Sequence, residues 1–118
     1  MNLSETTFDD ARPFDGYGPG FFRIGGDVVK GAVLVYAKGV TGWGGFDDPD
    51  TLLALTDQVD VFFVGTGNDI AHVPADLRAA IEGAGMGLEV MNTPAACRTY
   101  NVLVSEGRRV AAAVLPVS

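Results

Sequence analysis

The fold class is decided by one short stretch of the chain, Val61-Phe62-Phe63-Val64-Gly65-Thr66-Gly67. Four consecutive apolar residues, β-branched or aromatic, are typical of a strand that is covered on both faces, as in a parallel sheet. The two glycines that follow favour a tight exit from the strand with positive φ. The stretch therefore predicts a buried central strand with a turn at its carboxyl end.

On both sides of this strand, helical and extended patterns alternate along the sequence. Predicted helices begin at Asp48–Pro49, at Pro74 and at Thr93–Pro94, because a capping residue or a proline marks each start. The last of these helices is predicted to end near Gly107. The apolar runs between the helices predict strands at residues 21–24, 28–37, 61–64, 88–91 and 109–117. This order predicts βαβ units, that is, an α/β domain with a largely parallel sheet between helices.

The alternation also predicts how particular strands are arranged. We expect the strands at 33–35, 61–64 and 88–90 to be adjacent or nearly so, and parallel to one another, because helical crossovers separate them. Gly25-Gly26-Asp27 predicts a hairpin turn after the first strand. The glycine-rich segment 40–46 is interpreted as a loop.

Length and composition predict a single domain over residues 1–118, in which residues 1–13 form a flexible arm. The chain has 118 residues, close to the commonest size of one domain, and 47% of them are hydrophobic. Cys97 is the sole cysteine, so no internal disulfide can form, which fits a reducing compartment. No stretch contains about 18 consecutive apolar residues, so no membrane insertion is predicted.

The charge of the chain restricts its partners. The formal net charge is −7, and an acidic surface repels phosphate backbones, so nucleic acid is not expected as a partner. The same charge disfavours anionic lipid surfaces. Arg108 and Arg109 are adjacent, but two cations at a helix end are interpreted as a solvated terminus.

A candidate site is predicted at the carboxyl ends of the strands, where ligands of open α/β sheets bind. Loops that feed helix N-termini emerge there, and such termini favour anions. Arg98 lies about one helical turn further on and is expected to face the same edge. The candidate ligand- or partner-binding residues are Trp43, Gly65, Thr66, Gly67, Asn68, Thr93, Arg98 and Asn101. Together they predict a site for a protein partner or a small anionic ligand.

Several of these residues also have a purely structural explanation, which the sequence leaves open. The glycines are explained by a tight strand exit, and Trp43 by a loop anchor packed on the core. Thr93, as the predicted N-cap, is expected to use its hydroxyl on its own helix. Arg98 either contacts a partner or pairs with a carboxylate and supports the fold.

Motifs for cofactors and catalysis are missing from the sequence. Gly65-x-Gly67 lacks the third glycine of a dinucleotide loop, so no nucleotide cofactor is predicted. His72 has no partners at metal-ligand spacing, and no metal site is predicted. Cys97 shares a helix face with Tyr100 and Val104, and we expect it to be buried and unreactive.

Several stretches of the sequence carry a resemblance to a known family. They are Val64-Gly65-Thr66-Gly67, Gly85-Met86-Gly87-Leu88-Glu89-Val90-Met91, Thr93-Pro94-Ala95-Ala96-Cys97-Arg98-Thr99-Tyr100-Asn101-Val102-Leu103 and Glu106-Gly107-Arg108, and further upstream Tyr17-Gly18-x-Gly20-Phe21 and Gly31-Ala32-Val33-Leu34-Val35. The chain resembles, over about residues 14–117, a group of small proteins of unknown function that includes the mitochondrial NADH dehydrogenase (complex I) assembly factor 3 and its bacterial relatives. The resemblance implies a three-layer α/β fold whose mixed, largely parallel sheet has about five strands, one of them antiparallel, with a small N-terminal β-hairpin. It brings no established enzymatic activity and no catalytic residue.

Two functional hypotheses follow. The first is a non-catalytic binding or assembly factor with a protein partner, linked by the resemblance to the biogenesis of a respiratory membrane complex. The second is a small-ligand-binding protein or an enzyme that uses the pocket at the carboxyl ends of the strands. No cofactor is predicted. The first twelve residues resemble neither a secretory signal nor a transit peptide, so a cytoplasmic location is expected.

Overall fold

The computed structural model describes residues 12–118, which form two β-sheets and three α-helices. A three-stranded antiparallel sheet comes first and consists of β1 (Phe14–Gly18), β2 (Phe21–Ile24) and β3 (Asp27–Lys30). The strands of the central sheet are β4 (Val33–Tyr36), β5 (Gly39–Gly42), β6 (Val61–Gly65), β7 (Gly87–Met91) and β8 (Val110–Val114). The helices are α1 (Pro49–Leu53), α2 (Ala75–Gly83) and α3 (Thr93–Ser105), with a 3₁₀ turn at Gly45–Asp47.

The central sheet is mixed, as the resemblance implied. Its order is β5-β4-β8-β6-β7. Strand β6 is parallel to both β7 and β8, whereas β4 is antiparallel to both β5 and β8. Four strands therefore run in one direction, and β4 alone runs in the other.

The predicted parallel arrangement of the strands at 33–35, 61–64 and 88–90 is correct for the last two and wrong for the first. A two-residue hairpin turn at Ala37-Lys38 joins β4 to β5 and makes them antiparallel. It is therefore β5, and not β4, that runs in the same direction as β6 and β7. Strand β8 inserts between β4 and β6. The apolar run 33–35 correctly indicated burial, but burial on both faces does not fix the direction of a strand.

The N-terminal sheet differs most from the sequence-based prediction. The predicted strand 28–37 is two strands, β3 and β4, which are separated at Gly31 (φ +83°) and belong to different sheets. Residues 14–18, for which the sequence predicted no strand, form β1, and Phe14 at its start is buried in the core. The predicted hairpin is confirmed as β2–β3, where Gly25 (φ +56°) and Gly26 (φ +90°) turn the chain.

The boundaries of two other elements also differ. The glycine-rich segment 40–46 was interpreted as a loop, but its first part belongs to β5, an edge strand that needs few side chains to pack. The predicted last strand, 109–117, ends at Val114. The predicted flexible arm, residues 1–13, lies outside the described residues as far as Ala11. Arg12, near its end, donates to the carbonyl of Ile24 (3.3 Å) and pairs with Asp27 (2.8 Å).

The helices lie on opposite faces of the central sheet, and the topology explains why. Helix α2 connects β6 to its neighbour β7, whereas α3 leads back from β7 past β6 to β8. Right-handed crossovers in opposite directions place their helices on opposite faces. Phe62 and Val64 accordingly pack with α1 and α2, and Phe63 packs with α3.

The N-terminal sheet completes the layer that contains α3. Phe14 and Phe22 pack with Tyr100 of α3 in one core cluster, and the Phe14 ring meets the Tyr100 ring edge-on, with centroids 5.7 Å apart. The middle of the central sheet is Ala111-Ala112-Ala113, whose small, fully buried side chains allow both helical layers to approach closely.

Candidate functional site

The carboxyl ends of the parallel strands form one edge of the central sheet. Gly65 at the end of β6 is in register with Met91 of β7 and with Val114 of β8. Val114 pairs with Val33, which pairs with Gly42 at the end of β5. The loops after β5, β6, β7 and β8 therefore emerge at this edge, which we call the carboxyl rim. It includes the Trp43 loop, the Gly65–Asn68 loop and Asn92-Thr93, as the sequence predicted.

The last residues of the chain cross the carboxyl rim. The Leu115 amide donates to the Gly65 carbonyl (2.9 Å), which holds the segment against the end of β6. Asn68 and Ser118 exchange two hydrogen bonds of 2.9 Å each. The carbonyl of Val117 accepts from the Gly20 amide (2.9 Å). The C-terminal segment 115–118 thus lies over the carboxyl rim, where the candidate ligand site was predicted from the sequence.

Thr93 lies at the centre of this arrangement and is fully buried. Its hydroxyl accepts from the Gly67 amide (2.9 Å) and donates to the Leu115 carbonyl (2.6 Å). The prediction that Thr93 is the N-cap of α3 is wrong: Asn92 is the N-cap, and its side chain accepts from the Ala95 amide. Both residue types favour caps, and a shift of one residue frees the Thr93 hydroxyl to join three segments.

The amides that were expected to receive an anion already have partners. At the start of α3, the Thr93 amide donates to Gly67, the Ala95 amide to the Asn92 side chain, and the Ala96 amide to the Asn92 carbonyl, at 2.8–3.0 Å. Pro94 has no N–H. In the loop after β6, the Thr66 amide donates to the Met91 carbonyl (3.0 Å). An anion at this position would have to displace these bonds.

The two loop glycines are explained by packing and backbone conformation. A Cβ at Gly65 would lie 2.7 Å from the Thr93 hydroxyl and 2.9 Å from the Thr93 Cα, which is closer than atoms can pack. Gly67 has φ +102°, a conformation that side chains disfavour. The hydroxyl of Thr66 is also used inside the loop, where it donates to the Asp69 carbonyl (2.6 Å).

Trp43 is a buried anchor of the loop after β5. Its side chain is 5% exposed, and its indole N–H donates to the Asp48 carbonyl (3.0 Å). Asp48 caps α1, because its carboxylate accepts from the Thr51 amide and side chain. The hydrogen bond from the Thr51 side chain lowers the pKa of Asp48 most, and the bond from the Gly44 amide lowers it further. The Trp43 loop therefore fixes the start of α1 by side-chain contacts within the chain.

Arg98 and Asn101 lie on the outer side of α3, next to β1, where both line a small hollow together with Phe14 and Tyr17. The Asn101 amide group makes two bonds of 2.9 Å to the backbone of Phe14, one as acceptor and one as donor. Asn101 thereby attaches β1 to the helix. Arg98 is exposed and, among the described residues, forms no ion pair.

Cys97 is buried, as predicted, at 4% exposure. Burial raises its pKa to about 12, although the nearby Arg98 charge opposes the shift. The side chain is therefore a thiol and not a nucleophilic thiolate near neutral pH. Tyr100, one turn away, has a pKa raised by burial, and its hydroxyl has no hydrogen-bond partner among the described residues. No group of three or more metal-ligating side chains occurs within residues 12–118.

A hollow of about 320 Å³ lies beside the carboxyl rim, between the loop before α2 and the edge strand β7. His72 and Arg78 are its polar lining residues, together with apolar side chains such as Ile70 and Val90. Arg78 donates to Glu82 (3.1 Å) and to the Leu88 carbonyl (3.2 Å). This hollow is open space near the rim that the C-terminal segment leaves free.

Two exposed apolar side chains, Val102 and Tyr17, lie near Arg98. We call this surface the α3 face and define it by Tyr17, Arg98, Thr99, Val102 and Leu103. Val102 is 56% exposed and Tyr17 is 43% exposed. A shallow depression of about 460 Å³ lies between Arg98, Thr99, Val102 and Leu103, and a smaller hollow extends from Arg98 to Tyr17. Arg98 was among the predicted candidate residues but these apolar residues were not, although Val102 lies off the buried stripe 97, 100, 104, which is a signal in the sequence for its exposure.

No helix in residues 12–118 has the length and hydrophobicity needed to cross a bilayer.

Known sequences that are similar to this chain confirm the family resemblance that the sequence motifs indicated. The family described as "Protein of unknown function (DUF498/DUF598)" matches residues 14–115. An uncharacterized protein of Rhodobacter capsulatus is 52% identical over 99% of this chain and 94% of its own length. NADH dehydrogenase [ubiquinone] 1 alpha subcomplex assembly factor 3 is 28% identical in Rattus norvegicus and 34% identical in Drosophila melanogaster. Each alignment covers 98% of this chain, but this chain spans only 66% and 64%, respectively, of those proteins.

Solved structures share the fold. A crystal structure from Bartonella henselae, of a protein described as an outer membrane protein, has a TM-score of 0.84 and 32% identity, and the match covers 95% of this chain and all of that one. A Mth938-like domain of Bordetella pertussis, solved by NMR, has a TM-score of 0.77 and 25% identity over 98% of this chain and 92% of its own.

Proposed function

This chain belongs to the family of proteins of unknown function DUF498/DUF598, and we propose that it is a non-catalytic binding or assembly factor that docks a protein partner on its α3 face. The observation that carries the proposal is the exposure of Val102 and Tyr17 beside Arg98. Apolar and aromatic side chains next to an arginine are characteristic of protein interfaces. Exposed apolar side chains become favourable contacts when a partner removes them from water.

The named relatives support a role in assembly. The rat and Drosophila proteins are named as assembly factors of NADH dehydrogenase, and an assembly factor acts through protein partners. We therefore propose that this chain takes part in the biogenesis of a respiratory membrane complex and acts in the cytoplasm. Arg98 is proposed as a contact residue, because it is exposed and forms no ion pair within residues 12–118.

The experiment is affinity capture of the tagged chain from its source organism, with mass spectrometry of the proteins and small molecules that it retains. Arg98→Ala is compared with the unmodified chain in capture and in thermal unfolding. We expect the melting temperature to stay within about 2 °C, since surface substitutions usually change stability by less than about 0.5 kcal/mol, while partner recovery falls. If the melting temperature falls by several degrees and recovery is unchanged, Arg98 is structural and the proposed contact is wrong.

The alternative is a small-ligand site or an enzyme at the carboxyl ends of the strands. The specific observation in its favour is the 320 Å³ hollow beside the rim, lined by His72 and Arg78. Because the Thr66, Gly67 and Ala95 amides already have partners, such a ligand would be held by side chains. Retention of a small molecule in the capture experiment, with loss of that molecule in Arg78→Ala, would favour this alternative.

A further inference from the structure

A second cavity lies at the opposite end of the sheet from the carboxyl rim. Tyr36, at the end of β4, and Val110, at the start of β8, lie there beside the end of α3. The cavity has a volume of about 380 Å³, within the range of small-molecule sites. We call it the amino-end cavity.

Most of the charged residues that line this cavity are cationic, although the chain as a whole is acidic. Lys38, Arg108 and Arg109 line it, which is three of the eight lysines and arginines in the sequence, and Asp57 is the one carboxylate among its lining residues. Arg109 pairs with Asp60 at 3.3 Å. In the described part of the chain, neither Lys38 nor Arg108 forms an ion pair.

The inner surface of the cavity is apolar. Val59, Val104 and Val110 are buried side chains that line it, and Tyr36 is half-buried at its edge. A ligand that combines an anionic group with an apolar body would therefore meet cations at the entrance of the amino-end cavity and apolar side chains on its inner surface. Arginine guanidinium groups bind carboxylates with paired hydrogen bonds, which adds geometric selectivity to the charge.

A simpler explanation of the arginines is the helix dipole, since cations near a helix C-terminus are favourable. Two of the last carbonyls of α3, however, already have partners: Leu103 accepts from the Glu106 and Arg108 amides, and Val104 from the Gly107 amide. The dipole also does not explain Lys38, which comes from the β4–β5 turn, or the apolar floor.

We propose that the amino-end cavity binds a small organic carboxylate with an aromatic or aliphatic body. Lys38 and Arg108 hold the carboxylate, and Val59, Val104 and Tyr36 contact the apolar body. The site is separate from the α3 face and does not depend on the proposed assembly function.

The test is a titration of the isotope-labelled protein followed by amide chemical shifts, with phenylacetate as the probe. We expect saturable shifts at Lys38, Gly107 and Val110. Phenylacetamide, which keeps the ring but lacks the charge, should bind at least tenfold more weakly. Inorganic phosphate, which has charge but no apolar body, should also bind at least tenfold more weakly. Equal binding of phenylacetamide or of phosphate, or shifts that do not saturate, would overturn the proposal.

Matched variants separate the site from overall charge. The double variant Lys38→Gln/Arg108→Gln removes two exposed cations at the cavity, and Arg23→Gln/Lys30→Gln removes two exposed cations on the N-terminal sheet. We expect the first pair to weaken phenylacetate binding at least tenfold and the second by less than twofold. Equal weakening by both pairs would show a general charge effect and would overturn the assignment of these residues.

Discussion

Replacing Thr93 by valine tests whether the buried Thr93 hydroxyl stabilises the carboxyl rim. Valine keeps the shape of threonine but removes the hydroxyl that joins Gly67 to Leu115. The substitution leaves the Gly67 N–H and the Leu115 carbonyl without their partner. Because Thr93 is fully buried, water cannot replace the hydroxyl without rearrangement of the loop.

The magnitude follows from the burial of the two groups. A buried polar group that loses its partner costs about 1–3 kcal/mol. The bond to Gly67 is buried, whereas the bond to Leu115 is partly buried, so its carbonyl can regain some hydration. We therefore expect Thr93→Val to lower the free energy of unfolding by about 2–4 kcal/mol. For a domain of this size, that corresponds to a decrease in melting temperature of roughly 8 °C or more.

The assay is denaturant unfolding followed by circular dichroism, with Thr93→Ser as the matched control. Serine keeps the hydroxyl and loses one methyl group, which costs about 1 kcal/mol. The valine variant should be less stable than the serine variant by at least about 1 kcal/mol. If valine is as stable as serine or more stable, the hydroxyl does not hold the rim and the structural interpretation of Thr93 is refuted.

Three further predictions concern other contacts. Asn101→Ala should expose the Phe14 amide to faster hydrogen exchange and cost about 1–3 kcal/mol, because two bonds to β1 are lost; unchanged exchange would contradict this. Gly65→Ala should lower the free energy of unfolding by about 1–3 kcal/mol, because the added Cβ would overlap Thr93. Gly83→Ala, whose added Cβ has no neighbouring atom within 4 Å, should be close to neutral in the same unfolding assay. Burial raises the pKa of Cys97 from 9.0 to about 12, so the native thiol remains protonated where the unfolded thiol ionises. The free energy of unfolding should therefore be insensitive to this group below about pH 8 and fall as pH rises above 9, and Cys97→Ala should reduce that fall.

The sequence predicted the class of the fold but not the pairing of all its strands. Runs such as 61–64 show that a strand is buried, and the helices between runs show that the strands at 61–64 and 88–91 are parallel. The position of β8 between β4 and β6 depends on pairing between residues far apart in the chain, which local patterns do not contain. The division of 28–37 at Gly31 likewise depends on the two halves joining different sheets.

The positions of several candidate residues were predicted, but their contacts were not. Strand direction correctly brought the Trp43 loop, Gly65–Asn68 and Thr93 to one edge. The use of the Thr93 hydroxyl depended on a helix start one residue earlier than expected and on the C-terminal segment folding back, which only tertiary structure decides. The amino-end cavity was missed because Lys38 and Arg108 are distant in sequence and meet only in the fold.

The most direct test of the central claim is quantitative capture of partners by variants of the α3 face. Val102→Asp places a charge on this face, and Val28→Asp places one on a comparably exposed valine of the N-terminal sheet, 51% against 56% exposed. We predict that the unmodified chain and Val28→Asp recover the same subunits or assembly intermediates of a respiratory complex, and that Val102→Asp loses at least nine tenths of them. Recovery by Val102→Asp equal to that by Val28→Asp, or no respiratory component with the unmodified chain, would contradict the proposed function.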